Sequence, residues 1–189
     1  MVERAVAAIR AGEPVILPTD TVYGLCAAPE RAGLLSLLKG RPSWMPVALV
    51  CADVARLLEL VPEAGGHTAL LPGPYTLILP NPAARFPALG SEQTIGVRVP
   101  VLGGATGEIL EQVGAVAATS ANRHGGADPG RLEDVPVEMR EACAVVVDGG
   151  ELPGVSSTVV DLTGPEPRVL REGAVPTGET LDLLRRAAQ

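Results

Sequence analysis

Aromatic residues make up only 2% of the 189-residue chain: two tyrosines, one tryptophan and one phenylalanine. A core that cannot be built from rings must be built from Val, Leu, Ile and Ala, and the 47% hydrophobic share supplies them. Aliphatic side chains of this kind suit buried, parallel-type strands covered by Ala- and Leu-rich helices. Positive charge is scarce too: 15 Lys plus Arg stand against 22 Asp plus Glu, a formal net charge of -7. That balance argues against a chain whose main work is wrapping nucleic acid or lying on anionic lipid, although a few arginines can still converge in one pocket.

No apolar run approaches the ~18 residues of a membrane span. The first residues, MVERAVAAIRAGEP, intersperse charge and lack a continuous apolar stretch, so no secretion signal is expected. Cys26, Cys51 and Cys143 are odd in number, widely spaced and without a C-x-x-C pair, which argues against a disulfide framework and a thiolate metal site. They read as small buried hydrophobes in a reducing, cytoplasmic compartment. Phosphate-loop, dinucleotide and nucleophile-elbow signatures are missing. His67 and His124 are far apart and form no metal-ligand spacing, so no metal-binding residues are assigned.

What is present is an alternation of short apolar runs and helical patterns. Helices are expected over Val2–Ala11 (stopped by Gly12), Glu30–Leu38, Ala52–Leu60 with Asp53 near its start, Gly104–Val113, Val135–Ala142 and Leu181–Ala188. Strands are expected over Pro14–Leu17, Val47–Cys51, Tyr75–Leu79, Thr94–Val99, Ala115–Thr119 and Ala144–Val147, with a closing pair at Ser157–Asp161 and Arg168–Arg171. The alternation gives the α/β class. No repeat or long linker interrupts it, so a single domain over residues 1–189 is expected.

Polar residues cluster where strands end. Thr19, Asp20, Thr21 and Tyr23 follow the first apolar run, at an expected carboxyl edge of the sheet where open α/β folds bind ligands. A turn capped by Thr19 or Asp20 would look the same. Lys39 is the only lysine in the chain, and with Arg41 it forms a compact cationic pair at a helix end. The pair suits an anion or, equally, the helix dipole. Arg98 lies inside an apolar run, Thr119-Ser120-Ala121-Asn122 follows another, and Ser156-Ser157-Thr158 and Arg171-Glu172-Gly173 come late. Hydroxyl, amide and guanidinium groups without a nucleophile or acid–base dyad fit the positioning of a phosphorylated ligand.

Seven blocks in order make the chain resemble the YrdC/Sua5 family of threonylcarbamoyl-AMP synthases: Pro18-Thr19-Asp20-Thr21-Val22-Tyr23-Gly24-Leu25, Lys39-Gly40-Arg41-Pro42, Pro72-Gly73-Pro74-Tyr75-Thr76, Gly96-Val97-Arg98-Val99-Pro100, Thr119-Ser120-Ala121-Asn122, Ser157-Thr158-Val159-Val160-Asp161 and Arg171-Glu172-Gly173. The resemblance implies an α/β, single-domain, open twisted mixed sheet with flanking helices and a large concave ligand-binding face. It implies a nucleotidyltransferase that makes threonylcarbamoyl-AMP and pyrophosphate from L-threonine, bicarbonate and ATP for the t6A37 modification of tRNA. Lys39, Arg41, Thr94, Ser120, Asn122 and Arg171 are then the ATP-binding set, with Lys39 and Arg41 catalytic. Thr19, Thr21, Arg98, Ala118 and Ser157 are the threonine-binding set, Arg98 holding the carboxylate. Mg²⁺ accompanies ATP. Implied partners are downstream tRNA threonylcarbamoyl transferase proteins, with weak RNA contact and no membrane.

The chain departs from the family pattern at several points. Val50 stands where many longer members have histidine, His124-Gly125 replaces a small Ser-Gly, and Ser43-Trp44-Met45 is bulkier than expected beside a nucleotide. The chain ends near Gln189, and the C-terminal extension of longer members is not expected. Two alternatives are an RNA-binding module with a degenerate site and a carbamoyl-transfer component acting on another acceptor.

Overall fold

Short apolar runs punctuated by Pro and Gly fold here as strands of one sheet, seen in a computed structural model that describes residues 1–91 and 93–187. The strands are β1 (Val15–Pro18), β2 (Tyr23–Ala27), β3 (Ala48–Cys51), β4 (Tyr75–Pro80), β5 (Thr94–Arg98), β6 (Ala115–Ser120), β7 (Val145–Val146), β8 (Thr158–Asp161) and β9 (Arg168–Arg171). Their order is β7-β1-β2-β6-β3-β5-β4-β8-β9. The helices are α1 (Val2–Arg10), α2 (Ala32–Lys39), α3 (Val54–Leu60), α4 (Gly104–Val113), α5 (Val137–Glu141) and α6 (Thr177–Ala187). Ala188, expected in the last helix, lies outside the described residues.

The composition pointed to parallel strands, but among the described residues five of the eight neighbouring pairs are antiparallel. The sheet is mixed. One reason is β2, where the sequence pattern predicts no strand. The Thr19–Val22 turn sends the chain straight back along β1, with Thr19 N–H donating to Val22 O at 3.2 Å. Local chemistry fixes the helix ends. Asp53 Oδ1 accepts from Arg56 N–H at 2.7 Å and caps α3. Gly40 ends α2 at φ 64°, a left-handed conformation that suits glycine.

Period-two alternation divides the sheet into two faces. Ile16, Leu25, Leu49, Leu77, Val97 and Val160 pack with Leu35 of α2, Leu57 of α3 and Met139 of α5. Each fully buried Leu or Ile contributes about 2 kcal/mol. On the opposite face, Leu17, Cys26, Val50 and Val116 pack under Val6 and Ile9 of α1 and Ile109 and Leu110 of α4. Those two helices cover only part of that face. The remainder, over β3, β5, β4 and β8, opens into a cavity. Among the described residues no helix is long and apolar enough to cross a membrane.

Candidate active site

The cavity floor is made of very small residues. Ala48 pairs with Ala118, and the adjoining Leu49–Val97 pairing sets Gly96 beside Ala48. With Gly24 they leave an opening of about 260 Å³ on the uncovered face. A Cβ on Gly96 would point into it, meeting Ile78 Cδ1 at 3.4 Å and Thr76 Cγ2 at 3.7 Å.

One wall is the Thr19–Val22 turn. Thr19 Oγ1 donates to Val22 O at 2.7 Å and accepts from Thr21 and Val22 N–H at 3.2 Å each. This turn presents Asp20 and Thr21 to Arg98. Arg98 Nη2 donates to the Asp20 carboxylate and, at 2.8 Å, to Thr21 Oγ1, while Asp20 Oδ2 accepts from Val101 N–H at 3.1 Å. Arg98 is 8% exposed, and its Nε is buried without a hydrogen-bond partner. Burial lowers its pKa and the Asp20 charge opposes that. The guanidinium stays charged with donor capacity to spare.

The opposite wall carries hydroxyls and a second guanidinium. Ser157 and Thr76 share a hydrogen bond of 2.8 Å between their hydroxyls, and Arg171 Nη2 donates to Ser157 O at 2.7 Å. Arg171 reaches the cavity because of a register shift: Val159 pairs with Arg171 but Val160 pairs with Val169. Cross-strand partners share a face, so the shift turns Val169 to the core and Arg171 to the cavity. Arg41, just after α2, also lines the cavity. Its Nη2 donates to Pro46 O at 3.2 Å, and its Nε is buried without a partner. Burial lowers its pKa as well.

Lys39 is placed differently from its expected partner Arg41. Its Nζ donates to Ser120 O at 2.6 Å, Asn122 O at 2.7 Å and Asn122 Oδ1 at 2.6 Å, which uses all three N–H bonds. Asn122 Oδ1 also accepts from Ser120 Oγ at 2.7 Å, and its Nδ2 donates to Gly126 O at 2.7 Å. Lys39 therefore fastens α2 to the loop after β6. Burial, with Arg41 adding to it, brings its pKa down to about 8.

Of the residues singled out in the sequence, Thr19, Arg41, Arg98, Ala118, Ser120, Ser157 and Arg171 line this one cavity. Thr21, Lys39 and Asn122 stand behind the wall as its supports. Thr94 lies at the start of β5, its hydroxyl bonded to Ser91 Oγ at 3.0 Å, outside the lining. Thr76, Gly96 and Thr106 also line the cavity and were assigned no role from the sequence. Facing direction depends on strand pairing, which no local signal carries.

The expected carboxyl edge is also corrected. The pairings make β1 and β6 run opposite to β5 and β9. Thr19 and Ser120 therefore come from one end of the sheet and Arg98 and Arg171 from the other, and they meet across its concave face. The Ser43–Met45 loop leans on Gly90, where a Cβ would meet Met45 O at 3.0 Å, and Trp44 is 71% exposed.

The thiols play no visible chemical part. Burial raises Cys26, Cys51 and Cys143 to about 12, which leaves them as small hydrophobes. Among the described residues no three His, Cys, Asp or Glu side chains gather at one point. A site with three arginines, paired hydroxyls and a small-residue floor can bind and align anions. It holds no evident nucleophile.

A family model described as Sua5_yciO_yrdC, telomere recombination, matches residues 7–173. A Mycobacterium tuberculosis protein provisionally named threonylcarbamoyl-AMP synthase is 35% identical, the match covering 95% of this chain and 87% of that one. The Bacillus subtilis threonylcarbamoyl-AMP synthase is also 35% identical, and here the match spans 92% of this chain but only 54% of the relative. Among solved structures, Pyrococcus abyssi Sua5 complexed with L-threonine superposes with a TM-score of 0.86 at 33% identity, over 97% of this chain and 57% of that one. Escherichia coli YciO superposes with a TM-score of 0.77 at 25% identity, over 93% and 90%.

Proposed function

The chain belongs to the Sua5/YciO/YrdC family, and on that premise we propose that it is an L-threonylcarbamoyl-AMP synthase. Its relatives carry that name, and the P. abyssi neighbour binds L-threonine. The observation that carries the proposal is the convergence of Arg41, Arg98 and Arg171 on one cavity, in a chain of formal net charge -7. Only Arg98 of the three has a carboxylate partner among the described residues. Uncompensated guanidinium groups around a small opening call for an anionic ligand.

In the reaction, the unprotonated amine of threonine takes up bicarbonate, losing water, to give an N-carboxylate. A carbamate oxygen then attacks the α-phosphorus of ATP. The bond to the β-phosphate oxygen breaks, and pyrophosphate leaves with the electron pair. Arg98, with its spare Nε, would hold the threonine carboxylate, and Thr19 and Ser157 would lie beside the amino acid above the Ala118 floor. Arg41 and Arg171 would neutralise charge on the triphosphate, and Mg²⁺ would enter as part of the ATP complex. Lys39, through Asn122 and Ser120, would keep the nucleotide-side loop in place. Alignment and charge neutralisation are what such a transfer requires.

The product is a mixed carbamic–phosphoric anhydride, so a separate tRNA-directed transferase must consume it. On this reading the protein works in the cytoplasm beside that partner. The test is pyrophosphate release from ATP with bicarbonate and Mg²⁺, with and without L-threonine. Threonine-dependent release is expected. A folded sample that releases none would overturn the proposal.

A further inference from the structure

Tyr23 is fully buried in the core on the helix-covered face of the sheet and does not line the cavity. Its hydroxyl nonetheless meets three consecutive residues just beyond β7. It accepts from Gly149 N–H at 2.9 Å, and its single proton is shared between Asp148 Oδ1 at 3.0 Å and Gly150 O at 2.8 Å. Asp148 Oδ1 also accepts from Gly150 N–H at 2.9 Å. Gly149 lies so close to Pro18 that a Cβ on it would meet Pro18 Cβ at 2.5 Å. A buried phenol needs one partner for its hydroxyl. Three partners in one short stretch make it an anchor for that stretch.

Residues 148–157 form neither helix nor strand and pass from the end of β7 to the start of β8. β7 runs parallel to β1, so it ends on the side of the Thr19–Val22 turn. β8 runs parallel to β4 and opposite to β5, so it starts on the side where Arg98 ends β5. The segment thus links the two ends of the sheet that meet across the cavity. None of its residues from Asp148 to Ser156 is buried, and only Leu152 packs on the core. Hydrogen bonds must therefore hold it in place. Besides those to Tyr23, they run from Leu152 N–H to Gly130 O at 2.8 Å and from Gly154 N–H to Thr21 O at 2.9 Å. The Arg131–Glu151 ion pair is exposed and adds little.

The far end of this segment carries the second wall. Gly154, bonded to Thr21, stands three residues before Ser157, and three residues span at most about 10 Å. The Thr21 wall and the Ser157 wall are thereby tied to each other. Ser156 O accepts from Ala174 N–H at 2.9 Å, and a Cβ on Gly173 would collide with that same oxygen. Ser157 O accepts from Arg171 Nη2. Where the segment lies decides where Ser157 and Arg171 stand. We infer that residues 148–157 are a strap that sets the width of the cavity, and that Tyr23 is the positioning residue that holds it. This rests on the synthase proposal and adds to it a residue that acts on the site without touching a substrate.

Two variants loosen the hold from opposite sides: Tyr23→Phe removes only the hydroxyl, and Asp148→Ala only an exposed carboxylate. A glutamate-specific protease reads the strap at the exposed Glu151. Cleavage there should be about tenfold faster in Tyr23→Phe, while cleavage at Glu108 within α4, which requires the helix to open, stays at the wild-type rate. Asp148→Ala should shift Glu151 in the same direction by less, because Gly149 and Gly150 keep the phenol, and Asp148→Asn, which retains the accepting oxygen, should cleave like the wild type. In threonine-dependent pyrophosphate release, Tyr23→Phe should lose about tenfold in kcat as Ser157 and Arg171 drift. If Tyr23→Phe melts too low to assay, Asp148→Ala set against Asp148→Asn makes the same comparison. Wild-type cleavage at Glu151 in the loosened variants, or faster cleavage with undiminished kcat, overturns the inference and leaves the synthase proposal standing. A wild type that releases no pyrophosphate overturns the synthase proposal, and the Glu151 rates then decide whether Tyr23 holds the strap.

Discussion

Arg98 and Asp20, 78 residues apart in sequence, form a part-buried ion pair in which the carboxylate also accepts the Val101 N–H. The pair joins β5 to the turn after β1, so it braces the cavity as well as charging it. Asp20→Ala leaves the guanidinium buried without compensation and should cost about 3 kcal/mol. The double variant Asp20→Ala with Arg98→Met removes the stranded charge and should recover much of that loss. Urea denaturation of the three proteins measures it. Equal losses in the single and double variants would show that the pair is not the cause.

Lys39→Ala removes the ammonium donor from two backbone carbonyls and from the Asn122 amide oxygen, which keeps only Ser120 Oγ. We expect a stability loss of about 2 kcal/mol, with weakened nucleotide binding as the Ser120–Asn122 loop loosens. A variant that melts like the wild type yet turns over slowly would instead place the ammonium on the nucleotide.

Gly96→Val tests the floor. The new Cβ meets its neighbours at 3.4 Å or more, an ordinary contact distance, and a β-branched residue suits a strand, so folding should be largely preserved. The cavity, however, loses space where the substrates must align, and turnover should fall about a hundredfold. Circular dichroism melts and pyrophosphate release on the same sample separate the two effects. Full turnover would mean that the substrates do not lie over β5.

Asp161 gives a pH signature of the fold. The Thr163 hydroxyl and N–H, followed by Arg168, hold its carboxyl down to about 2 from an ordinary 3.8. A depressed folded pKa contributes stability that is whole above pH 4 and fades as the pH falls toward 2. Melting of Asp161→Asn should therefore lie below the wild type at neutral pH and converge with it in acid. A gap that stays constant from pH 5 to pH 2 would contradict this.

Much of the architecture could be read from residue order. Gly104–Val113 was expected as a helix and forms α4 over the same residues, and Thr94–Val99 forms β5 to within a residue, because Gly and Pro bound those runs. β2 is hidden in the sequence because Tyr23–Ala27 is only five residues long and follows directly on a hydroxyl-rich turn. The Arg171 position could be named but not its direction, since a one-residue shift in pairing decides which face a side chain takes. Lys39 stood out by its uniqueness, yet its three oxygen partners come from a loop about 80 residues away in the chain. Local sequence specifies elements, while the roles of residues within the site are settled by pairing and burial.

The bare stretch of sheet beside α4 has a thermodynamic consequence. Where α1 and α4 stop, no helix among the described residues shields β5, β4 and β8, and on the proposed function bound substrates would take the place of that layer. Anything that binds only the folded chain deepens its free-energy well, by about 2.7 kcal/mol at a hundredfold excess over its dissociation constant. On the proposed function the survival time of the protein against heat or proteases would thereby be tied to its substrate supply: a cell rich in ATP and amino acid would keep more of it intact, and a starved one would let it go.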